Sequence, residues 1–457
     1  MQDVVESRAT TRALTACALG AALLVATVAV AGAPHVVPLY DAIYALIEPL
    51  MRHGGDYLAG ATERDFFRPI EYYVNLAAYR LSVPWLTLVF ITLSVGATAI
   101  VLAWLATPER SPAAQSWRWL TAAVLVAHPL LLASAYGYDR VSQALANLLG
   151  ALALLCATRR PRAVTLLLVL HALGLASKES YATFMLLSSA WAAARLWRQK
   201  AHARLLVLGL GCLLLLVAYR GLHAATTNEA LLASTPRYQL SLGINVLHNL
   251  ALYTAGTLFL GSTARAAQGI SWPVALWVAV SLGVWSAWVF AIVCAVRRTA
   301  GGLAALAAGL APLFLATFAA LLPSVLMKDV SENNASCFAL FFTASAMALL
   351  GRSSAEPKAR AWAILGVAIA ALSCAGGSLE KFARVRATSA DASFMAAQAL
   401  VHADEGRIPV DCRYKPKRRY SVYYMPSDVL VNSINRYLVA RGELAATDVM
   451  SCRGSVL

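Results

Sequence analysis

Residues 84–106, PWLTLVFITLSVGATAIVLAWLA, decide the fold. The stretch is near-continuously apolar over the length that crosses a hydrocarbon core. Residues 13–33 repeat the pattern, and further apolar blocks of similar character follow along the chain. No strands alternate as an outer-membrane barrel requires. The spans are therefore expected to be helices, which satisfy every backbone polar group internally. Composition agrees: 60% of the 457 residues are hydrophobic and 13% are charged, against about 25% charged in a soluble domain. The mean hydropathy is +0.64.

The run at 13–33 follows Arg8 and Arg12 and ends in Ala31-Gly32-Ala33, which has the look of a cleavable leader. It exceeds the usual apolar length of such a leader, and Pro34 would follow the cut. It is read as a retained first helix. The net charge of +15 fits the positive-inside bias of a membrane protein better than a nucleic-acid surface. Four basic loops read as cytoplasmic: Arg159, Arg160 and Arg162; Arg195, Arg198, Lys200 and Arg204; Arg297 and Arg298; and Arg352, Lys358 and Arg360.

These loops set the thread. Spans are expected at about 13–33, 84–106, 118–135, 141–157, 163–176, 181–196, 204–221, 272–296, 302–322, 336–350 and 361–377. That makes an all-α polytopic protein with about eleven crossings. Residues 1–377 form the membrane domain, with a first external loop at 34–83. Residues 245–259 are apolar enough to span, but one crossing there would put Arg297 and Arg298 outside. The segment 222–270 is therefore read as external, part interfacial or re-entrant. Residues 378–457 read as a small soluble α/β domain, with helices at 388–403 and 427–440 and short strands at 410–414 and 420–424. The thread puts the N-terminus in the cytoplasm and this domain in the periplasm of a bacterial inner membrane. Cys412 and Cys452, both in the tail, are a disulfide candidate in such an oxidising compartment. The other six cysteines lie in or beside apolar helices and read as packing residues.

Charge at membrane depth or just outside it is costly and marks function. Here it collects in the external loops, as Asp41, Glu48, Arg52, Arg68 and Glu71 in the first, then Asp139-Arg140, then Lys178-Glu179, then Arg237, Lys328, Asp329 and Glu332. A transporter would more often spread polar groups along a path through the midplane.

Four patterns give a resemblance. Tyr40-Asp41 opens the long first loop, and Phe67-Arg68-Pro69-Ile70 closes it. Asp139-Arg140 fills a short second loop, and Ser177-Lys178-Glu179 follows two helices later. Leu322-Pro323 followed by Glu332 is a weaker fifth. In this order the chain resembles the GT-C class of polyprenyl-phosphate-sugar-dependent glycosyltransferases, closest to the protein O-mannosyltransferase group, over about residues 13–350. The family often has an acidic pair where this chain has Asp41 alone. Asn333-Asn334 stand where it has an arginine.

The resemblance implies an inverting transfer from a polyprenyl-phosphate-linked sugar to a lipid, glycan or protein acceptor. Asp41 matches the family's catalytic acidic residue and is the expected base. Arg68, Arg140, Lys178 and Arg237 are candidates to hold the leaving phosphate. Asp139, Glu179 and Glu332 would orient cations or bind sugar hydroxyls. No cofactor is expected. His53, His128, His171 and His248 lack metal-ligand spacing, and a divalent metal stays open. Two other readings compete: a transporter or flippase of lipid-linked sugars, and an O-antigen polymerase or ligase.

Overall fold

The computed structural model describes residues 2–36, 67–81, 83, 85–107, 112–131, 140–227, 241–258, 272–298, 302–326, 332–353, 357–401, 408–411, 435, 438–439 and 450–453. Among them the chain is almost wholly helical. The helices are α1 (Gln2–Gly32), α2 (Pro69–Arg80), α3 (Leu86–Ala106), α4 (Pro112–Ala127), α5 (Val141–Arg159), α6 (Val164–Ser177) and α7 (Tyr181–Arg198). Then come α8 (His202–Thr226), α9 (Ile244–Leu258), α10 (Trp272–Arg298), α11 (Gly302–Val325), α12 (Glu332–Ser353) and α13 (Pro357–Val401). Two short strands, β1 (Ile408–Asp411) and β2 (Met450–Arg453), pair in parallel with Val410 opposite Cys452.

Among the described residues, five stretches are long and apolar enough to cross a membrane: Thr11–His35, Leu86–Ala106, Val141–Arg159, His202–Thr226 and Ala363–Ala387. Shorter apolar helices cover Val164–Ser177, Ala275–Phe290, Leu310–Leu322 and Ser336–Gly351. Their surroundings differ sharply. The α5 window is 72% inside protein and that of α8 only 6%. Helix α5 packs against α3, α6 and α7 and is central. Helix α8 leaves Leu206, Leu210, Leu213, Leu214 and Val217 exposed, as a helix facing lipid does, since lipid is as apolar as leucine.

Two large apolar clusters lead the packing among the described residues. One joins α1, α4, α10, α12 and α13 through Val25, Leu120, Trp288, Met347 and Val367. The other joins α3, α5, α7, α11 and α12 through Leu102, Leu154, Met185, Leu313 and Phe341. Small residues let helices approach. Gly174 on α6 lies so close to the Tyr181 ring that a Cβ there would overlap it.

The first loop holds a helix, α2, beginning at Pro69. Proline is pre-organised for the first helical position and needs no donor there. Residues 245–258 form nearly all of α9, whose Asn249, Tyr253 and Thr257 are buried against α11 and α12. The expected boundary at 377–378 falls inside α13, a helix of 45 residues. Ser378 is fully buried and its hydroxyl donates to the Ala127 carbonyl at 2.6 Å. The polar composition from Ser378 onward therefore does not mark a helix end. Alanine and arginine continue a helix as readily as the apolar residues before them.

Candidate functional site

Three of the quoted motifs meet at helix ends. Arg68 stands just before Pro69, where the helical region is disfavoured, so it is held at the mouth of α2. Its Nε donates to Glu179 Oε2 at 3.0 Å and its Nη2 to Glu179 Oε1 at 2.6 Å. This is the two-point fork that suits guanidinium to carboxylate. Arg68 Nη1 also lies 3.8 Å from Glu71 Oε2. Phe67 packs edge-on against Tyr219 of α8, with ring centroids 5.9 Å apart.

Glu71 has a further task. Its Oε1 accepts the Ser142 backbone N–H at 3.4 Å. Arg140 is the N-cap of α5, so Ser142 lies in the first turn, where backbone donors lack partners inside the helix. A buried carboxylate from α2 supplies one, at the end of α5 where the helix dipole favours negative charge. Arg140 is buried beside this junction at 4% exposure.

Lys178 and Glu179 come from the tight turn between α6 and α7. Lys178 is the C-cap of α6 with extended backbone, and its N–H donates to the Gly174 carbonyl. The Tyr181 N–H donates back to the Lys178 carbonyl at 3.1 Å. One extended residue sends neighbouring side chains opposite ways. Glu179 turns to Arg68, while Lys178 turns inward to Gln143 Oε1 at 2.6 Å. Gln143 Nε2 in turn donates to Asn147 Oδ1 at 2.8 Å.

The charges bear on one another. Burial alone would raise Glu179, but the Arg68 charge and hydrogen bonds, with help from Lys178, outweigh it and hold the carboxyl at about 2. Burial and then the Arg68 charge lower Lys178 to about 8, against the pull of Glu179 and Glu71. The site thus holds a carboxylate that stays ionised and a lysine that gives up its proton in a mildly alkaline medium. It offers an arginine fixed by carboxylates and a lysine held by a neutral amide, an arrangement suited to an anion at a helix-end interface.

Of the residues expected from sequence, Arg68, Lys178 and Glu179 fall in this cluster, and Arg140 is buried at the N-cap of α5 beside the Glu71–Ser142 contact. Glu332 is the first residue of α12. Cys452 lies in β2. Asp41, Asp139, Arg237 and Cys412 lie outside the described residues. Gln143 and Asn147 join the cluster without a sequence motif, and Glu71 gains a role as the cap of α5. Among the described residues no three His, Cys, Asp or Glu side chains gather as for a metal ion.

Fold and composition together define a multi-pass membrane protein. Comparison with protein-family models, characterised proteins and solved structures gives no match to this chain.

Proposed function

We propose that this protein is a membrane glycosyltransferase of the GT-C kind. It moves a sugar from a polyprenyl-phosphate donor to a hydroxyl on a lipid, glycan or protein. The observation that supports this best is the junction at helix ends where Arg68 is braced by Glu179 and Glu71, Lys178 is held by Gln143, and Arg140 is buried at the neighbouring N-cap of α5. A donor whose phosphate stays on a lipid must react at the membrane interface, where helix ends lie. Its leaving phosphate needs cations that are already in place.

The acceptor oxygen attacks the anomeric carbon from the face opposite the phosphate. The carbon–oxygen bond to phosphate breaks, and its electron pair leaves on the phosphate oxygen. The acceptor proton passes to Asp41. Lys178 and Arg140 neutralise the departing phosphate, and Arg68, with its fork on Glu179, holds the rim. In this reading the chain crosses the membrane eleven times from a cytoplasmic N-terminus, with this face and the C-terminal domain, residues 378–457, on the external side of a bacterial inner membrane.

The test is transfer of radiolabelled sugar from a polyprenyl-phosphate pool to membrane acceptors, comparing purified wild type with Asp41→Asn. Label should leave the lipid and reach an acceptor with wild type alone. Unchanged donor crossing liposomes without transfer would instead identify a flippase, and transfer by Asp41→Asn would remove Asp41 as the base.

A further inference from the structure

Gln143 and Asn147 need a physical reason to lie inside an apolar helix. They are 2% and 5% exposed, one turn apart on α5. Burying an amide costs free energy unless it is bonded, and an apolar pair would fill the space without that cost. Their hydrogen bonds run in one direction. Because Gln143 Nε2 donates to Asn147 Oδ1 at 2.8 Å, the Gln143 carbonyl must face the other way, where it meets Lys178 Nζ at 2.6 Å. Turning the amide over would set its NH₂ against an ammonium and lose both bonds.

Lys178 is itself only 6% exposed. The charged and titratable groups acting on it come from every side. Arg68 and Glu71 stand at the start of α2, Glu179 is its neighbour in the turn, and the Cys337 thiol belongs to α12. Gln143 adds the neutral acceptor that this ammonium requires, and it does so without placing a negative charge next to an incoming anion.

We propose that Gln143, locked by Asn147, is a positioning residue that aims the Lys178 ammonium at the phosphate of a polyprenyl-phosphate donor. This rests on the glycosyltransferase reading. Gln143 touches no reacting atom. It fixes the direction of the lysine and favours its charged form, and the polar pair on α5 is the anchor that lets a flexible four-carbon side chain act as a preset donor.

The experiment uses the full chain in nanodiscs, with polyprenyl phosphate as probe and polyprenol of equal length as the uncharged control. Binding is followed from pH 6 to 10. Wild type should prefer the phosphate, with that preference fading near the pH where Lys178 deprotonates. In Gln143→Met the midpoint should move down by about half a pH unit or more, with at least ~5-fold weaker binding at pH 7.5. In Gln143→Glu the midpoint should move up, while phosphate binding at pH 6.5 falls because a carboxylate now faces the anion. Asn147→Leu should shift the midpoint in the same direction as Gln143→Met but less. A merely structural role would weaken all three alike and leave the midpoint unmoved.

Competitive acylation of Lys178 across pH, read by mass spectrometry on the same samples, reports its midpoint without any ligand. If that midpoint is the same in wild type, Gln143→Met and Gln143→Glu, the positioning role is overturned. If it shifts as described while wild type binds phosphate and alcohol equally, the positioning role stands and the donor assignment falls.

Discussion

Arg68 and Glu179, 111 residues apart in sequence, meet in a two-point fork of 3.0 and 2.6 Å. The fork ties the mouth of α2 to the turn between α6 and α7. Glu179 is held at about 2, below its free value of 4.5. A carboxyl lowered on folding contributes stability above its unfolded value and loses that contribution as pH falls through the folded one. Thermal unfolding of the wild type should therefore drop between about pH 4.5 and 2. In Arg68→Met the same drop should be shallower. Arg68→Lys keeps the charge but not the fork, and sugar transfer should fall at least ~10-fold while the unfolding temperature changes little.

Lys178 has the opposite linkage from the usual paired lysine. Burial first, then the Arg68 charge, lower it from 10.5 to about 8. Between those values the unfolded chain binds more protons, so stability rises with pH across that window. Below about pH 8 the buried charge costs stability. Lys178→Met should thus raise stability at pH 7 by about 1–2 kcal/mol, after subtracting the lost Gln143 bond. The gain should shrink toward pH 10, and transfer should be lost throughout. Calorimetry or dye-monitored melting at pH 7 and pH 10 gives the comparison, and an unchanged or lowered melting point at pH 7 counts against this account of Lys178.

Gly174 sets the turn through its neighbour. The Tyr181 ring lies against its backbone, fully buried, with its hydroxyl 3.2 Å from His171 Nδ1. Gly174→Ala forces that ring to move and should destabilise by about 1–3 kcal/mol, as overpacking does. Tyr181 carries the backbone bond to Lys178, so transfer should fall as well. Adding Tyr181→Leu should recover part of the melting temperature. No recovery in the double variant would mean that the clash lies elsewhere.

Much of this site could be read from the chain because charge is conspicuous at the ends of apolar helices. Arg68, Arg140, Lys178 and Glu179 stand out for that reason, and the fold brings Arg68 onto the turn that carries Lys178 and Glu179, with Arg140 at the nearby N-cap of α5. Gln143 and Asn147 do not stand out. They are neutral, they break no apolar period, and their task appears only once Lys178 is seen to turn inward. Glu71 is visible as one charge among many in the first loop, yet its partner is a backbone N–H 71 residues away, which no local pattern specifies. The expected edge at Ser378 shows a different limit. A helix of good formers runs on through a change from apolar to polar residues.

That uninterrupted helix sets a distance. At 1.5 Å per residue, the 45 residues of α13 measure about 68 Å, more than twice the roughly 30 Å thickness of a hydrocarbon core. Beyond the apolar stretch that ends at Ala387, residues 388–401 add about 21 Å. Where the apolar stretch crosses the bilayer, the number of helical turns in this arm sets the height of Val401 above the lipid. Removing four residues lowers that height by about 6 Å and rotates it by roughly 40°, since four residues exceed one 3.6-residue turn. The arm would govern how far from the membrane a bulky acceptor is met, independently of the chemistry at the helix ends.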